Sequence, residues 1–433
     1  MSPDKKYENI FNEYISRLKA ESVFLSGKCS ISLKVSDILY AYAVADFNKP
    51  LTGKDIVING MVSVSADRDS ELHRLTYLNG KSVKSVIHAY PVNIGIIAEA
   101  GINIPPILDD MAQIIGPDAK CVEDSDDRII KVLRKRNACI IKGNGVITYG
   151  RSPDEAYTAC LVLEKSSKCF VDTAVLGGYR KIDPLEARLM HFVYKKKYSK
   201  QNQENKNKEL FETKEKDNIE YIYKDKELEL RQQIIDAGIK LLNSNLVQGT
   251  WGNISIRLDD NYLLITPSGM DYLTLKVEDI VLLNYHTMEY EGRHKPSGEK
   301  DIHAAIMRER KGVNAVIHSH PHECSSLAAS HSDLPVMSDE MLKRVGGAAK
   351  SSAYALPSTK ALAKATIKAI EGVNACIMAN HGLLAVGRTI DDAFETCRVM
   401  EESAKNYINK RALEQSTAKE KRKDIFLRLY ARK

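Results

Sequence analysis

Three histidines in this chain have the types and spacing of a metal site. His318 and His320 stand two residues apart, so in an extended segment both imidazoles point to one face. The apolar, β-branched run Asn314-Ala315-Val316-Ile317 before them reads as a buried strand that delivers the pair at its end. His381 follows a second such run, Ala375-Cys376-Ile377-Met378-Ala379, and stands between Asn380 and Gly382. Three imidazoles with a nearby carboxylate, Glu299, suit a transition metal, most simply Zn²⁺ with one position left for substrate. One ion per chain is expected, zinc or another divalent transition metal.

The elements that must position these residues follow from the pattern along the chain. Residues 5–20 have apolar side chains at helical spacing. Short strands are expected at residues 24–27, 31–35, 55–60 and 85–88, with a helix over 69–79. Strands at 138–141 and 146–148 flank Gly143-Asn144-Gly145, and a long helix is expected over 153–171. A first α/β domain therefore spans 1–195. Residues 196–227 are almost wholly polar and charged and read as a linker. A second domain, 228–433, opens with a helix to about residue 244 and continues through Gly252-Asn253-Ile254-Ser255 and Thr266-Pro267-Ser268-Gly269.

The two halves repeat each other. Residues 85–91 match 315–321, Ala138-Cys139-Ile140 matches Ala375-Cys376-Ile377, and Gly150-Arg151 matches Gly387-Arg388. Agreement at both turns and core positions means one domain occurring twice. The chemistry differs between the copies. Where the second has Glu299, His318, His320 and His381, the first has Asp69, His88, Tyr90 and Asn144. His303 keeps its counterpart in His73 and so reads as core or support, not as a ligand. A single competent site, in the second half, is expected.

Composition bounds the class. The chain has 433 residues, 43% hydrophobic and 28% charged, enough for two full cores. No apolar run follows the lysines at the amino terminus, and none reaches 18 residues, so neither a signal peptide nor a membrane span is expected. Eight scattered cysteines without a CxxC pair do not read as a disulfide framework, and a reducing cytoplasm is the default. The net charge of +6 is mild, and the lysines lack interleaved aromatics, so no nucleic-acid partner is expected.

Five motifs in order carry a resemblance: Gly252-Asn253-Ile254-Ser255, Thr266-Pro267-Ser268-Gly269, Pro296-Ser297-Gly298-Glu299, His318-Ser319-His320 and Asn380-His381-Gly382. Together they resemble the class II aldolase and adducin superfamily, to which L-fuculose-phosphate aldolase belongs. The resemblance covers residues 228–410 and, as a degenerate copy, 5–175. It implies two α/β/α domains, each with a central, mainly antiparallel sheet flanked by helices. It implies that His318, His320 and His381 bind Zn²⁺ and that Glu299 is the acid/base. It implies a phosphate pocket at Asn253, Ser268, Gly269, Ser297 and Gly298, although Gly298 stands where the family usually has a second serine. The implied function is a metal-dependent lyase of aldolase type, cleaving a small ketose phosphate or related hydroxy-ketone through a Zn-stabilised enediolate. A dehydratase or decarboxylase on this scaffold, or an adducin-like non-catalytic interaction protein, stays open. The tyrosine that the aldolases carry after Leu334-Pro335 is missing, and Asp339 or Glu340 could take an acid role there. His322 and Glu323 are further candidates for substrate contact. A homo-oligomer, dimer or tetramer, is implied, with the first half as structural partner.

Overall fold

The computed structural model describes residues 3–21, 28–62, 64–80, 82–196, 225–249, 251–416 and 421–430. The strand expected at 24–27 lies outside the described residues, as does nearly all of the linker expected over 196–227. The chain forms two compact units, each built on one sheet.

The first unit contains β1 (Lys28–Lys34), β2 (Leu39–Asp46), β3 (Val57–Gly60), β4 (Ser85–Ala89), β5 (Cys121–Val122), β6 (Ala138–Ile141) and β7 (Val146–Gly150). Among the described residues its sheet has the order β3-β2-β1-β4-β7-β6-β5, antiparallel except for the β5/β6 pair. Strand β2 has no counterpart among the expected elements. Its sequence LYAYAVAD is rich in alanine, a residue depleted in strands, so propensity hides it. The helices of this stretch are α1 (Pro3–Ala20), α2 (Arg68–Leu78), α3 (Val92–Ala100), α4 (Asp109–Ile114), α5 (Asp126–Leu133), α6 (Pro153–Thr173) and α7 (184–196).

The second unit repeats the plan with β8 (Asn253–Arg257), β9 (Tyr262–Ile265), β10 (Val281–Asn284), β11 (Tyr290–Glu291), β12 (Ala315–Ser319), β13 (Ala375–Met378) and β14 (Gly382–Gly387). These described strands form the order β11-β10-β9-β8-β12-β14-β13, every pair antiparallel. Strand β12 lies between β8 and β14, and all five of its residues are buried, which is why it reads as a continuous apolar run. The helices are α8 (Asp225–Asn243), α9 (Lys300–Glu309), α10 (His322–Ser330), α11 (Asp339–Val345), α12 (Lys360–Ala369) and α13 (Ile390–Gln415). One core joins sheet residues Leu263, Val281, Val316, Met378 and Val386 to Ile302 and Ile306 of α9 and Leu362 of α12. Helices α10 and α13 pack on each other and against β14. The long α13 starts where the Thr389 side chain accepts from Asp392 N, with Asp391 and Asp392 complementing the helix dipole.

Two stretches depart from a simple cut of the chain into halves. Residues 172–181 cluster with the second unit, and the terminal helix α14 (Arg422–Tyr430) clusters with the first. Phe426 and Tyr430 of α14 stack on Phe170 with ring centroids 5.4 and 5.5 Å apart. All eight cysteines are free thiols. Among the described residues, no helix is long and apolar enough to cross a membrane.

Candidate metal centre

The three histidines come from two places in the sheet. His318 is the fourth residue of β12, paired with Asn253 of β8 on one side and Leu384 of β14 on the other. His320 follows the end of the strand. His381 sits at the tip of the β13/β14 hairpin, where His381 N donates to Met378 O at 3.0 Å and Asn380 adopts the left-handed conformation (φ 55°). Gly382 allows the tip to close on the ligand strand. A Cβ there would lie 2.5 Å from Ser319 O and 3.4 Å from His320 Cγ.

The imidazoles converge. His318 Nε2 lies 2.8 Å from His320 Nε2 and 2.9 Å from His381 Nε2. Among the described residues, these three form the metal-competent cluster, and all are buried. Glu299, the residue at the start of α9, places Oε1 at 2.9 Å from His381 Nε2 and Oε2 at 3.2 Å from His318 Nε2.

The donor chemistry asks for a cation. His318 Nδ1 lies 2.9 Å from the Leu383 carbonyl, which only accepts, so that nitrogen carries the proton and Nε2 of the neutral ring presents a lone pair. That lone pair converges with two further imidazole nitrogens beside a carboxylate, a donor set that a divalent ion can gather in one centre. Burial opposes the charged form of His318 and pushes its pKa well below the usual imidazole value, outweighing the pull of Glu299. Burial alone would raise Glu299. The His318 and His381 imidazoles, with hydrogen bonds from His381 and Asn253, instead hold it well below the usual carboxylate range. An ionised carboxylate and neutral imidazoles are the states that ligate a divalent ion, so the residues present fit one.

Asn253, expected in the substrate pocket, also supports the carboxylate, with one hydrogen bond at each end of its amide. Glu299 can only accept, so Asn253 Nδ2 donates to its Oε2 at 2.9 Å. Asn253 Oδ1 therefore faces His303 Nε2, which must carry a proton, and His303 Nδ1 accepts from Ser255 Oγ at 2.6 Å. The result is a one-way chain of donors, Ser255 to His303 to Asn253 to Glu299. Burial lowers the His303 pKa to about 4, which keeps the ring neutral and the direction of the chain fixed. The strand register explains the role: Asn253 is the cross-strand neighbour of His318, directly behind the carboxylate.

The remaining expected pocket residues lie on two adjoining turns joined by a bridge between Pro267 and Pro296. Ser268 N donates to Lys295 O and Ser297 N to Thr266 O, each at 3.0 Å. Gly298 has a tight neighbour that sequence reasoning missed. A Cβ at Gly298 would lie 2.8 Å from Ser358 Oγ, a hydroxyl held just before α12 on a residue with φ 60°. A hydroxyl from a distant turn thus stands beside Gly298. Its only sequence signal is the Pro357-Ser358-Thr359 turn before a helix.

Glu340 is not brought to the cluster. It is exposed in the first turn of α11, with its carboxylate 2.7 Å from Arg398 Nη2, and that guanidinium also pairs with Glu395 and Glu402. Asp339 opens the same helix. Glu323 begins α10, where Glu401 accepts from Glu323 N and Cys324 N at 2.8 and 2.9 Å and caps the helix. His322 contacts Gln248.

The family profile described as class II aldolase and adducin N-terminal domain matches residues 26–171 and again residues 232–408. A 5-methylthioribulose-1-phosphate/5-deoxyribulose-1-phosphate aldolase from Rhodospirillum rubrum is 36% identical over 178 residues, covering 41% of this chain and 80% of that protein. A 5-deoxy-D-ribulose 1-phosphate aldolase from Bacillus thuringiensis serovar kurstaki is 34% identical over 184 residues, covering 42% of this chain and 86% of that one. Among solved structures, an L-fuculose 1-phosphate aldolase is 30% identical and covers 47% of this chain and 95% of its own, with a TM-score of 0.42. With the profile matched once in each half, the chain belongs to the class II aldolase and adducin family, whose domain it carries twice.

Proposed function

We propose that the second unit is a zinc-dependent lyase of the aldolase type, cleaving a small ketose phosphate or a related hydroxy-ketone. The observation that carries this reading is the buried convergence of His318, His320 and His381 on Glu299. His318, His320 and His381 hold the ion. When bound, it supplies a Lewis acid that offsets the negative charge developing on substrate oxygens. Glu299 moves the proton at the substrate carbon: Asn253 fixes Oε2, and Oε1 would accept that proton or return it once His381 turns its Nε2 to the ion. The substrate's phosphate is assigned to Ser268, Gly269, Ser297 and Gly298, joined by Ser358. Among the described contacts, the N–H groups of Gly269 and Gly298 carry no partner, which favours an anion there. Gly298 also abuts the start of α9, whose dipole has the right sign for an anion. The first unit is assigned a metal-free, structural role, and the full chain is assigned a homo-oligomeric state, dimer or tetramer.

Aldol cleavage is favoured over dehydration because Glu340, the carboxylate that suited a dehydratase, is engaged by Arg398 on the surface. The relatives' substrates define the assay panel: 5-deoxyribulose, 5-methylthioribulose and fuculose 1-phosphates. Purified protein is expected to carry about one equivalent of metal, lost in His320→Ala. Glu299→Gln keeps the size and removes the proton acceptor, so turnover on an accepted substrate should fall by roughly 10²–10⁴. Unchanged turnover in that variant rejects the assignment of Glu299.

A further inference from the structure

Residues 172–181 belong to the metal-binding unit although they precede it in sequence. Four hydrogen bonds hold them there. Ser326 Oγ of α10 donates to Asp172 Oδ2 at 2.9 Å in a buried pair, and Gln415 Nε2 donates to Val175 O at 2.7 Å. Arg180 N donates to Ala329 O at 2.7 Å, and Arg180 O accepts from Asn380 Nδ2 at 2.7 Å. Ala174 and Val175 are buried between these pins.

Asn380 is the last residue before the ligand His381, and it is 1% exposed. Its main chain is left-handed, a conformation that asparagine tolerates but that costs most other residues about 1–2 kcal/mol. Three contacts fix it. Asn380 N donates to Ala328 O at 2.9 Å. The Arg180 carbonyl can only accept, so the amide NH₂ faces it and Oδ1 faces His331 Nε2 at 2.6 Å. The C-terminal end of α10, the 172–181 segment and the β13/β14 hairpin thus meet on one side chain. Moving that side chain moves the hairpin tip, and the tip is His381.

We propose that residues 172–181 are a strap that sets the position of His381, with Asn380 as the positioning residue through which it acts. The metal centre then includes main-chain atoms lying before the first residue of the copy that supplies its ligands. The inference rests on the reading that the three imidazoles hold a divalent ion. Because coupling is reciprocal, an ion that depends on the strap must also tighten it.

Zinc affinity of the full chain, measured by competition with a chromophoric chelator, tests this together with the ligand-field absorption of the Co²⁺-loaded protein. Asn380→Gly keeps the left-handed backbone and removes the amide. Asn380→Asp keeps the acceptor towards His331 and loses the donor to Arg180. Both should bind zinc about 10–100-fold more weakly and shift the Co²⁺ spectrum, as loss of a residue supporting a ligand does. Wild-type affinity and an unchanged spectrum in both overturn the strap. Amide exchange of unsubstituted protein guards against misfolded variants: Arg180 N–H should exchange more slowly once Zn²⁺ is added. Equal exchange with and without zinc overturns the coupling. No zinc uptake by the unsubstituted protein overturns the metal reading beneath it, which is a separate failure from zinc uptake that is indifferent to Asn380.

Discussion

Replacing Asn253 by alanine should unlock the carboxylate and destabilise the second unit together. In the native chain Asn253 accepts from His303 and donates to Glu299, and His303 is fully buried. Alanine leaves two buried groups without that partner: an imidazole N–H and a carboxylate oxygen. Each such orphan costs about 1–3 kcal/mol, so the metal-free unit should lose about 2–6 kcal/mol. At a urea slope of about 2 kcal/mol per molar, the unfolding midpoint should fall by about 1–3 M. The chain contains one tryptophan, Trp251, two residues from Asn253 and in the same unit. Tryptophan fluorescence therefore follows this unit alone, free of signal from the other copy. Asn253→Asp is the companion measurement. It sets a second carboxylate against Glu299 and gives His303 an anionic partner, so the His303 pKa should rise from about 4. Proton-coupled nitrogen shifts of the imidazole read that change. A midpoint shift below about 0.3 M in the alanine variant, corresponding to well under 1 kcal/mol, refutes the one-way donor chain.

The other expectations are these. Burial lowers both His73 and His303 to about 4, so each stays neutral in the folded chain while the unfolded chain protonates below about 6.5. Stability present above pH 6.5 is then lost as pH falls towards 4, by up to ~1.4 kcal/mol per pH unit for each ring, and urea midpoints that stay flat between pH 7 and 5 contradict this. Gly298→Ala pushes the exposed Ser358 hydroxyl aside, so it should raise KM several-fold while stability changes by less than about 1 kcal/mol; Ser358→Ala should do the same, and an unchanged KM in both removes Ser358 from the pocket. Glu340→Gln breaks an exposed pair worth about 0–1 kcal/mol and should leave turnover within about twofold, whereas a loss of a hundredfold or more restores an acid role to Glu340.

What could be read in the sequence was local. The convergence of the three histidines was legible because a strand-end spacing of two and a tight glycine turn are written in consecutive residues. The repeat was legible for the same reason, and with it the doubling of an antiparallel sheet flanked by helices. The contact of Asn253 with Glu299 was not legible, because it depends on the register of β8 against β12, which periodicity does not encode. Ser358 and Arg180 were invisible because each meets the site from a distant turn or through main-chain atoms alone. Glu340 was legible as a charge, and its pairing with Arg398 was not, since Arg398 lies on another helix.

The two copies solve one problem in two ways. Both bury a histidine near the end of the central strand, His88 and His318, and buried polar groups must be satisfied. In the first copy the side chains satisfy one another. His88, 1% exposed, sets Nδ1 against Asp69 and Nε2 at 2.7 Å from Asn144 O, so both ring nitrogens are engaged. Tyr90 donates its hydroxyl to Asn144 Oδ1 at 2.8 Å, and Asn144 Nδ2 donates to Asp124 at 3.0 Å. Tyr42 closes the other side by donating to Asp69 at 2.8 Å. Burial would raise the Asp69 carboxyl, but the His88 bond and the nearby imidazoles hold it low. In the second copy His318 occupies the matching strand position, but only its Nδ1 is satisfied by the main chain. Its Nε2 faces two other imidazoles and an ionised carboxylate, a set of donors that one cation among them would engage together. Tyrosine and asparagine at two positions close the network, while histidine at both opens it to a cation. The scaffold can therefore stay the same while the two copies differ in what they offer an ion.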